Sequence, residues 1–201
     1  MSTVLIKNAT LVRDNLKEAD VFIKDGVITK IGRVDRGADT VVDGTGKHLF
    51  YGFFDMHAHL REPGFEGKET IASGVRAAVN GGFTDIACMP NTNPVNDNKV
   101  VTEYIINHAG KEGYAHVYPV GAITKGSLGT ELSEMAAMKA AGVIAVSDDG
   151  KPVSDGRVMR LALEYADSLG LKVLSHSEDK SLSGDGVANE GLNSDICGLK
   201  G

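Results

Sequence analysis

The chain has 201 residues, of which 42% are hydrophobic and 24% charged, a balance typical of a globular protein rather than a disordered or fibrous one. Its 27 acidic and 21 basic residues give a net charge of −6 without a long basic run, which argues against nucleic acid or an anionic membrane surface as a partner. Two cysteines are too few for a disulfide framework, and neither a secretory signal nor a membrane-spanning apolar run is visible, so we expect a cytoplasmic protein that binds small molecules or other proteins.

The first fifty residues have the character of a small β-sheet module. The segments "VLIKNATLV" and "ADVFIKDGVITKIG" are rich in β-branched and other apolar residues, as strands are. The second segment contains Asp25-Gly26, a pair that favours the two-residue turn of a β-hairpin. We therefore predict short strands here, with a hairpin in the second segment.

From Leu49 onward, apolar strands alternate with amphipathic helices. The predicted strands are "HLFYGFFDMHAHL", "FTDIACMP", "YAHVYPVGAI", "VIAVSDDG" and "LKVLSHSED". The predicted helices are "KETIASGVRAAVNGG", "NKVVTEYIINHAGKEG", "LGTELSEMAAMKAAG" and "DGRVMRLALEYADSLG". Buried strands separated by helices are typical of a parallel sheet with crossover connections, which either a doubly wound open sheet or a (β/α) barrel provides.

Polar residues suited to chemistry stand at the ends of four of these strands. They are His57, His59 and Arg61 after the first strand, Asn91 after the second, Asp149 after the fourth and His176 after the fifth. In a barrel all strand ends converge on one rim, where such enzymes keep their active sites, whereas an open sheet spreads them out. No glycine-rich phosphate loop follows the first strand, which removes the main support for a nucleotide-binding open sheet.

The histidines and the aspartate form a candidate metal site. Alternate residues of a strand point to the same side, so His57, His59 and Arg61 share one face if their segment is extended. Two histidines on one strand, a third at His176 and the carboxylate of Asp149 are a donor set suited to zinc. The competing role for each histidine is a hydrogen-bonded structural position.

Structural roles also compete for the other three residues. Asp149 lies in "SDDGKPVSDG", where aspartate favours turns and helix caps, although the first aspartate of this segment is the stronger structural candidate. Asn91, in "MPNTNP", is in a position to form a turn, and Arg61 is close enough in sequence to pair with Glu62 or Glu66.

Four motifs, "DMHAHLREPG", "MPNTNPV", "SDDG" and "HSED", resemble in their order and spacing those of the class I dihydroorotases of the cyclic amidohydrolase superfamily. The resemblance runs from the N-terminal strands to the last residue. It implies a (β/α)₈ barrel of the TIM type that carries a small β-sandwich formed by both ends of the chain. On this basis residues 1–48 are the N-terminal part of the sandwich, and residues 49–201 are the first five βα units of the barrel.

The resemblance also implies a zinc site with one or two ions. It assigns His57, His59 and Asp149 to the metals, with Asp149 as a bridging ligand, and His176 to the second metal. Many members of the superfamily bridge their metals with a carboxylated lysine. Here the corresponding strand end carries Asp149, and we interpret Lys151 as a loop charge.

The same resemblance assigns substrate binding to His59, Arg61 and Asn91, with Arg61 and Asn91 on the substrate carboxylate. The planar guanidinium of Arg61 is matched to a carboxylate. The implied reaction is the reversible hydrolysis of the cyclic amide of dihydroorotate to N-carbamoyl-aspartate in pyrimidine biosynthesis. The alternatives are another cyclic amidohydrolase, such as an allantoinase or a hydantoinase, and a noncatalytic dihydroorotase-like subunit of aspartate transcarbamoylase.

Part of the family pattern has no counterpart in these 201 residues. The last three barrel strands, a further histidine ligand and the aspartate that acts as general acid and base would all follow "LNSDICGLKG". We therefore expect the N-terminal half of a longer enzyme, poorly active or inactive on its own. Candidate protein partners are a second copy of the chain and aspartate transcarbamoylase, with no nucleic acid or membrane partner.

Overall fold

A computed structural model describes residues 2–12 and 17–201 of the chain. The chain divides into two compact units, Met1–Gly52 and Phe53–Gly201. In its described residues the first unit consists of strands, whereas the second alternates strands and helices. The sequence analysis predicts this change of character and places it after residue 48.

The first unit is a mixed sheet. Its strands, within the described residues, are β1 (Thr3–Leu11), β2 (Lys17–Lys24), β3 (Val27–Gly32), β4 (Thr40–Asp43) and β5 (His48–Leu49). The sheet order is β3-β2-β1-β4; β2 is antiparallel to β1 and β3, while β4 and β5 both run parallel to β1. Asp25 and Gly26 join β2 to β3 with φ angles of 48° and 80°, the left-handed conformations that a tight hairpin turn requires. The predicted hairpin is therefore confirmed.

The second unit is built on a parallel sheet. Its strands are β6 (Phe53–Ala58), β7 (Phe83–Cys88), β8 (His116–Gly121), β9 (Ala145–Val146) and β10 (Lys172–Val173). They lie in sequence order, β10-β9-β8-β7-β6, and all four neighbouring pairs are parallel. This mixed α/β arrangement confirms the predicted succession of parallel strands, although β9 and β10 are only two residues long.

The helices are α1 (Ile71–Asn80), α2 (Lys99–Glu112), α3 (Met135–Ala141), α4 (Gly156–Ser168), α5 (Lys180–Ser183) and α6 (Leu192–Cys197). Side-chain caps begin the longer ones: Thr70 and Ser73 form a reciprocal capping box at α1, while Asn98 and Asp155 cap α2 and α4. None of the helices in the described part of the chain is long and apolar enough to cross a membrane.

The predicted strand "HLFYGFFDMHAHL" is two strands rather than one. Its first part, β5, pairs with β1, and the Leu49 carbonyl accepts a hydrogen bond of 3.0 Å from Val12 N–H in the same sheet. Its second part, β6, pairs with β7. The apolar run is therefore continuous in sequence, but its two halves belong to two different sheets.

The predicted helix "LGTELSEMAAMKAAG" begins only at Met135. Ser133, just before it, donates from its backbone N–H to Ile123 O at 3.0 Å and from its hydroxyl to Ala122 O at 2.6 Å. These bonds hold the preceding segment against the loop that follows β8. The first half of the predicted helix, residues 128–134, is therefore irregular structure, and a short 3₁₀ turn at Lys125–Ser127 precedes it.

The core of the second unit lies between the sheet and the helices. One cluster is formed around Val75 of α1, Ile86 of β7 and Ile105 of α2. A second cluster contains Met135 and Met138 of α3, both fully buried. These two clusters fix the strands whose ends carry the polar residues.

Replacing Ile105 by alanine tests this packing. Ile105 is completely buried, so we expect Ile105→Ala to lower the free energy of unfolding by about 2–5 kcal/mol, through lost apolar burial and the cavity left behind. Urea denaturation of the full-length protein measures the change. Val100→Ala on the same helix is the control: Val100 is 74% exposed, and its replacement should change stability by under about 0.5 kcal/mol. Equal effects of the two substitutions would contradict the described core.

Candidate metal centre

The parallel strands deliver the polar residues to one edge of the sheet. His57 is the penultimate residue of β6, and His59 comes directly after that strand. Asn91, Asp149 and His176 each stand three residues beyond the end of β7, β9 and β10. Connections of equal, short length therefore carry these side chains to the same region.

His57, His59 and Asp149 meet there. His57 Nε2 lies 3.2 Å from Asp149 Oδ1, and His59 Nε2 lies 3.6 Å from Asp149 Oδ2. The two imidazole rings are 5.1 Å apart between centroids, close to edge-on. The Asp149 side chain is only 11% exposed, so its carboxylate is largely removed from water and faces two imidazoles.

The spacing of these donor atoms fits a shared divalent cation. In the described residues, one donor atom from each of the three side chains lies within 4.8 Å of the others. Nitrogen and oxygen ligands at about 2.0–2.2 Å from a tetrahedral ion stand about 3.3–3.6 Å apart. The two imidazole nitrogens lie 3.2 and 3.6 Å from different oxygens of the Asp149 carboxylate, close to that range. The donor set and its spacing therefore suit a metal ion.

Asn91 holds two members of this group. Its Oδ1 lies 3.0 Å from His59 Nδ1, and its Nδ2 donates to Asp149 Oδ2 at 3.1 Å. A hydrogen bond from Nδ1–H to the amide oxygen leaves His59 Nε2 with a free lone pair, which is the tautomer that metal binding needs. The turn role that competes for Asn91 does not account for these contacts. Its assignment to a substrate carboxylate stays a prediction.

His176 approaches the same carboxylate from β10. Its Nδ1 lies 3.7 Å from Asp149 Oδ1, and its Nε2 lies 3.4 Å from Glu178 Oε2. The ring thus stands between two carboxylates, with one nitrogen toward the centre and the other away from it. The structure brings His176 to Asp149, but outside the tight group of three.

Glu178 is a residue of this region to which the sequence analysis gave no role. Its carboxylate accepts hydrogen bonds from Lys180 Nζ at 2.6 Å and from Ser183 Oγ at 2.8 Å. These bonds, that of Lys180 foremost, lower the pKa of Glu178 to about 2, so it is ionised at neutral pH. Its position two residues after His176 in "HSED" was the available signal, since a ligand histidine usually donates its second N–H to a carboxylate.

The structure separates the two neighbouring aspartates of the β9 loop. Asp148 is buried and accepts hydrogen bonds from the backbone N–H groups of Ile123 and Thr124, at 2.8 and 3.1 Å. Asp155, not Asp149, caps α4. The structural roles that compete for Asp149 are therefore filled by its neighbours, and Asp148 is structural as predicted.

Arg61 does not lie on the strand face with the histidines, contrary to the sequence prediction. β6 ends at Ala58, and Arg61 has a φ of 60°, a left-handed conformation outside the extended region of a regular strand. The alternation of side chains therefore stops before it.

The predicted competing ion pairs of Arg61 are also absent among the described residues. Glu62 bonds instead to Tyr104 OH and to Ile71 N–H, and Glu66 accepts from Gly64 N–H at 2.7 Å. Arg61, half-buried, has no carboxylate partner in the described part of the chain.

Comparison with known proteins assigns the chain to a family. A model of the dihydro-orotase-like family matches residues 46–201, which include the whole of the centre described above. The chain belongs to the dihydro-orotase-like family. Dihydroorotases from Pelotomaculum thermopropionicum and Syntrophotalea carbinolica are 52% and 55% identical to it, over 98% and 90% of the chain. These alignments cover 47% and 43% of the two relatives, so the chain spans about half their length.

Solved structures support the same fold. The L-hydantoinase (dihydropyrimidinase) from Arthrobacter aurescens superposes with a TM-score of 0.80 at 21% identity, over 92% of this chain and 43% of that protein. At that identity the likeness concerns the fold alone. The candidate centre at His57, His59 and Asp149 lies within the part of the chain that the family model matches.

Removal of a central ligand should strongly weaken metal binding. We expect Asp149→Asn to weaken the affinity for zinc, used as the probe ion, by more than the roughly 10–100-fold typical of losing an outer partner of a ligand. Competition for zinc between the full-length protein and a chromophoric chelator measures this affinity. His116→Ala is the control, because His116 is 79% exposed at the start of β8. Unchanged affinity in Asp149→Asn would place the metal elsewhere.

Glu178 should support the centre through His176. We expect Glu178→Gln to lower the zinc affinity by about 10–100-fold, because an ionised carboxylate beside Nε2 makes the imidazole a stronger donor. The same chelator competition applies. Glu164→Gln is the matched control, because Glu164 is an exposed glutamate that pairs with Arg160 on α4. Equal zinc affinities in the two variants would show that Glu178 contributes only to the local fold.

Proposed function

We propose that the protein acts as a zinc-dependent dihydroorotase, which interconverts dihydroorotate and N-carbamoyl-aspartate in pyrimidine biosynthesis by reversible hydrolysis of the cyclic amide. The observation that carries the proposal is the centre of His57, His59 and Asp149 in a chain that is 52–55% identical to dihydroorotases. Because the chain spans about half of those relatives, activity and substrate are inferred for the whole protein.

The residues of the centre suit this chemistry. His57, His59 and Asp149 would hold the zinc ion, and His176 would bind a second ion, with Asp149 between the two. When bound, zinc supplies a Lewis acid that makes hydroxide available near neutral pH and polarises an amide carbonyl. Asn91 keeps His59 and Asp149 in place through its two hydrogen bonds. None of the residues assigned here is the general acid or base.

Dihydroorotate is favoured over a hydantoin by the charge of Arg61. A half-buried guanidinium without a carboxylate partner among the described residues is costly unless a ligand supplies the anion. Dihydroorotate carries a carboxylate on its ring, whereas hydantoin and dihydrouracil rings have none of their own. We therefore assign Arg61 to the substrate carboxylate, with Asn91 and His59 lining the same side.

The same proposal includes the full architecture. The parallel sheet β6–β10 would form part of a (β/α)₈ barrel of the TIM type, and the first unit would belong to a small β-sandwich. The likeness of the chain to the L-hydantoinase structure supports this arrangement.

The proposal extends to the location of the protein and to its partners. Cys88 and Cys197 are both free thiols, which suits the reducing cytoplasm where we place the enzyme. Association with a second copy of the chain, or with aspartate transcarbamoylase, stays a prediction.

Arg61 provides the test. We expect Arg61→Ala to lower kcat/KM for dihydroorotate by about 10–100-fold, the effect of losing hydrogen bonds between charged groups, with little change in zinc content. Arg160→Ala is the control, since Arg160 is exposed and pairs only with Glu164 among the described residues. Unchanged turnover in Arg61→Ala would refute the carboxylate assignment. Absence of dihydroorotate turnover in the zinc-loaded wild type would refute the function itself and favour a noncatalytic subunit or another cyclic amide as substrate.

A further inference from the structure

Arg61 sits at the centre of a tight, strained turn. The backbone N–H of Glu62 donates to Leu60 O at 2.7 Å, which closes a three-residue turn around Arg61. The φ of Arg61 in this turn is 60°. A residue with a Cβ is unfavourable there, because the side chain crowds its own backbone, and such a conformation persists only when the surroundings hold it.

Hydrogen bonds of Glu62 help to keep the Arg61 turn in this conformation. Its Oε1 accepts a hydrogen bond from Tyr104 OH of α2 at 3.0 Å, and its Oε2 accepts one from the backbone N–H of Ile71 at 2.8 Å. Ile71 is the first residue of α1, so the carboxylate also lies at the positive end of that helix. On the other side of Arg61, the side chain of Leu60 is buried in the core.

The turn is also joined to the loop that carries Asn91. Asn93 N–H donates to Pro63 O at 2.8 Å, across the two loops. Gly64 has a φ of 96°, and a Cβ at this position would lie 2.0 Å from Asn93 O, so only glycine permits this approach. The loops that carry Arg61 and Asn91 are therefore in direct backbone contact.

The arrangement explains why two adjacent, oppositely charged residues do not pair. Both oxygens of Glu62 are occupied by α1 and α2, which turns the carboxylate away from its neighbour. The cation of Arg61 is thereby left for an external anion instead of being neutralised within its own loop.

We propose that Glu62, held by Tyr104 and the N-terminus of α1, is a positioning residue that fixes the Arg61 turn and so determines recognition of a substrate carboxylate. This inference rests on the proposed function. Glu62 itself does not touch the substrate, and its contribution is made entirely through Arg61.

The first experiment measures KM and kcat for dihydroorotate in the full-length, zinc-loaded protein. We expect Glu62→Ala to raise KM by about tenfold, the value of one to two hydrogen bonds to a charged group, with kcat and zinc content within about twofold of the wild type. Glu62→Gln should restore most of the loss, since an amide can still accept from Ile71 N–H and bond to Tyr104. Glu103→Gln is the control, because Glu103 is an exposed neighbour of Tyr104 that pairs with Lys99.

A double-mutant cycle with Arg61→Ala separates positioning from general support of the fold. If Glu62 acts through Arg61, adding Glu62→Ala to Arg61→Ala should change KM by less than about twofold. The same factor in both backgrounds would overturn the inference. Should Glu62→Ala fail to fold, the cycle is run with Tyr104→Phe, which removes one hydrogen bond and keeps the ring. A wild type inactive on dihydroorotate rejects the proposed function, whereas an active wild type with an additive cycle rejects only the role of Glu62.

Discussion

The carboxylate of Asp149 is the group on which the candidate centre depends. Its Oδ1 faces His57 and His176, at 3.2 and 3.7 Å, while its Oδ2 faces His59 at 3.6 Å. One side chain thereby connects the first and the last strand of the parallel sheet. Because little of it is exposed, water screens its charge poorly, and its attraction for a cation is stronger than at an open surface.

The loop that carries this carboxylate, and its neighbouring loops, are held by buried polar groups. Asp148 accepts hydrogen bonds from the N–H groups of Ile123 and Thr124, in the loop after β8. Asn96, fully buried, donates to Val120 O at 3.0 Å and so links the loop after β7 to β8. Each such bond contributes only about 0.5–1.5 kcal/mol, but an unpaired buried group costs more, so the loops are fixed in one arrangement.

Periodic patterns made much of this structure predictable. The hairpin at Asp25 and the alternation of strands and helices follow from local preferences, and the residues at the strand ends followed from the geometry of parallel sheets. Interactions between distant segments were not visible. The left-handed conformation of Arg61 depends on Glu62 reaching two helices, and the role of Glu178 depends on the ring orientation of His176. Periodicity shows neither, and only the spacing of Glu178 from His176 gave a signal for the second.

The adjacency of Asp148 and Asp149 has an evolutionary consequence. The two side chains are chemically identical, yet one is bonded to backbone in the interior and the other faces three histidines. Deletion of one residue between β9 and this pair would move Asp149 into the buried position and bring Gly150 to the histidines. Insertion of one residue would move Asp148 to the histidines and leave the buried position without an aspartate. The length of this connection, which is the single buried residue Ser147, is therefore fixed by the need to place the two carboxylates differently.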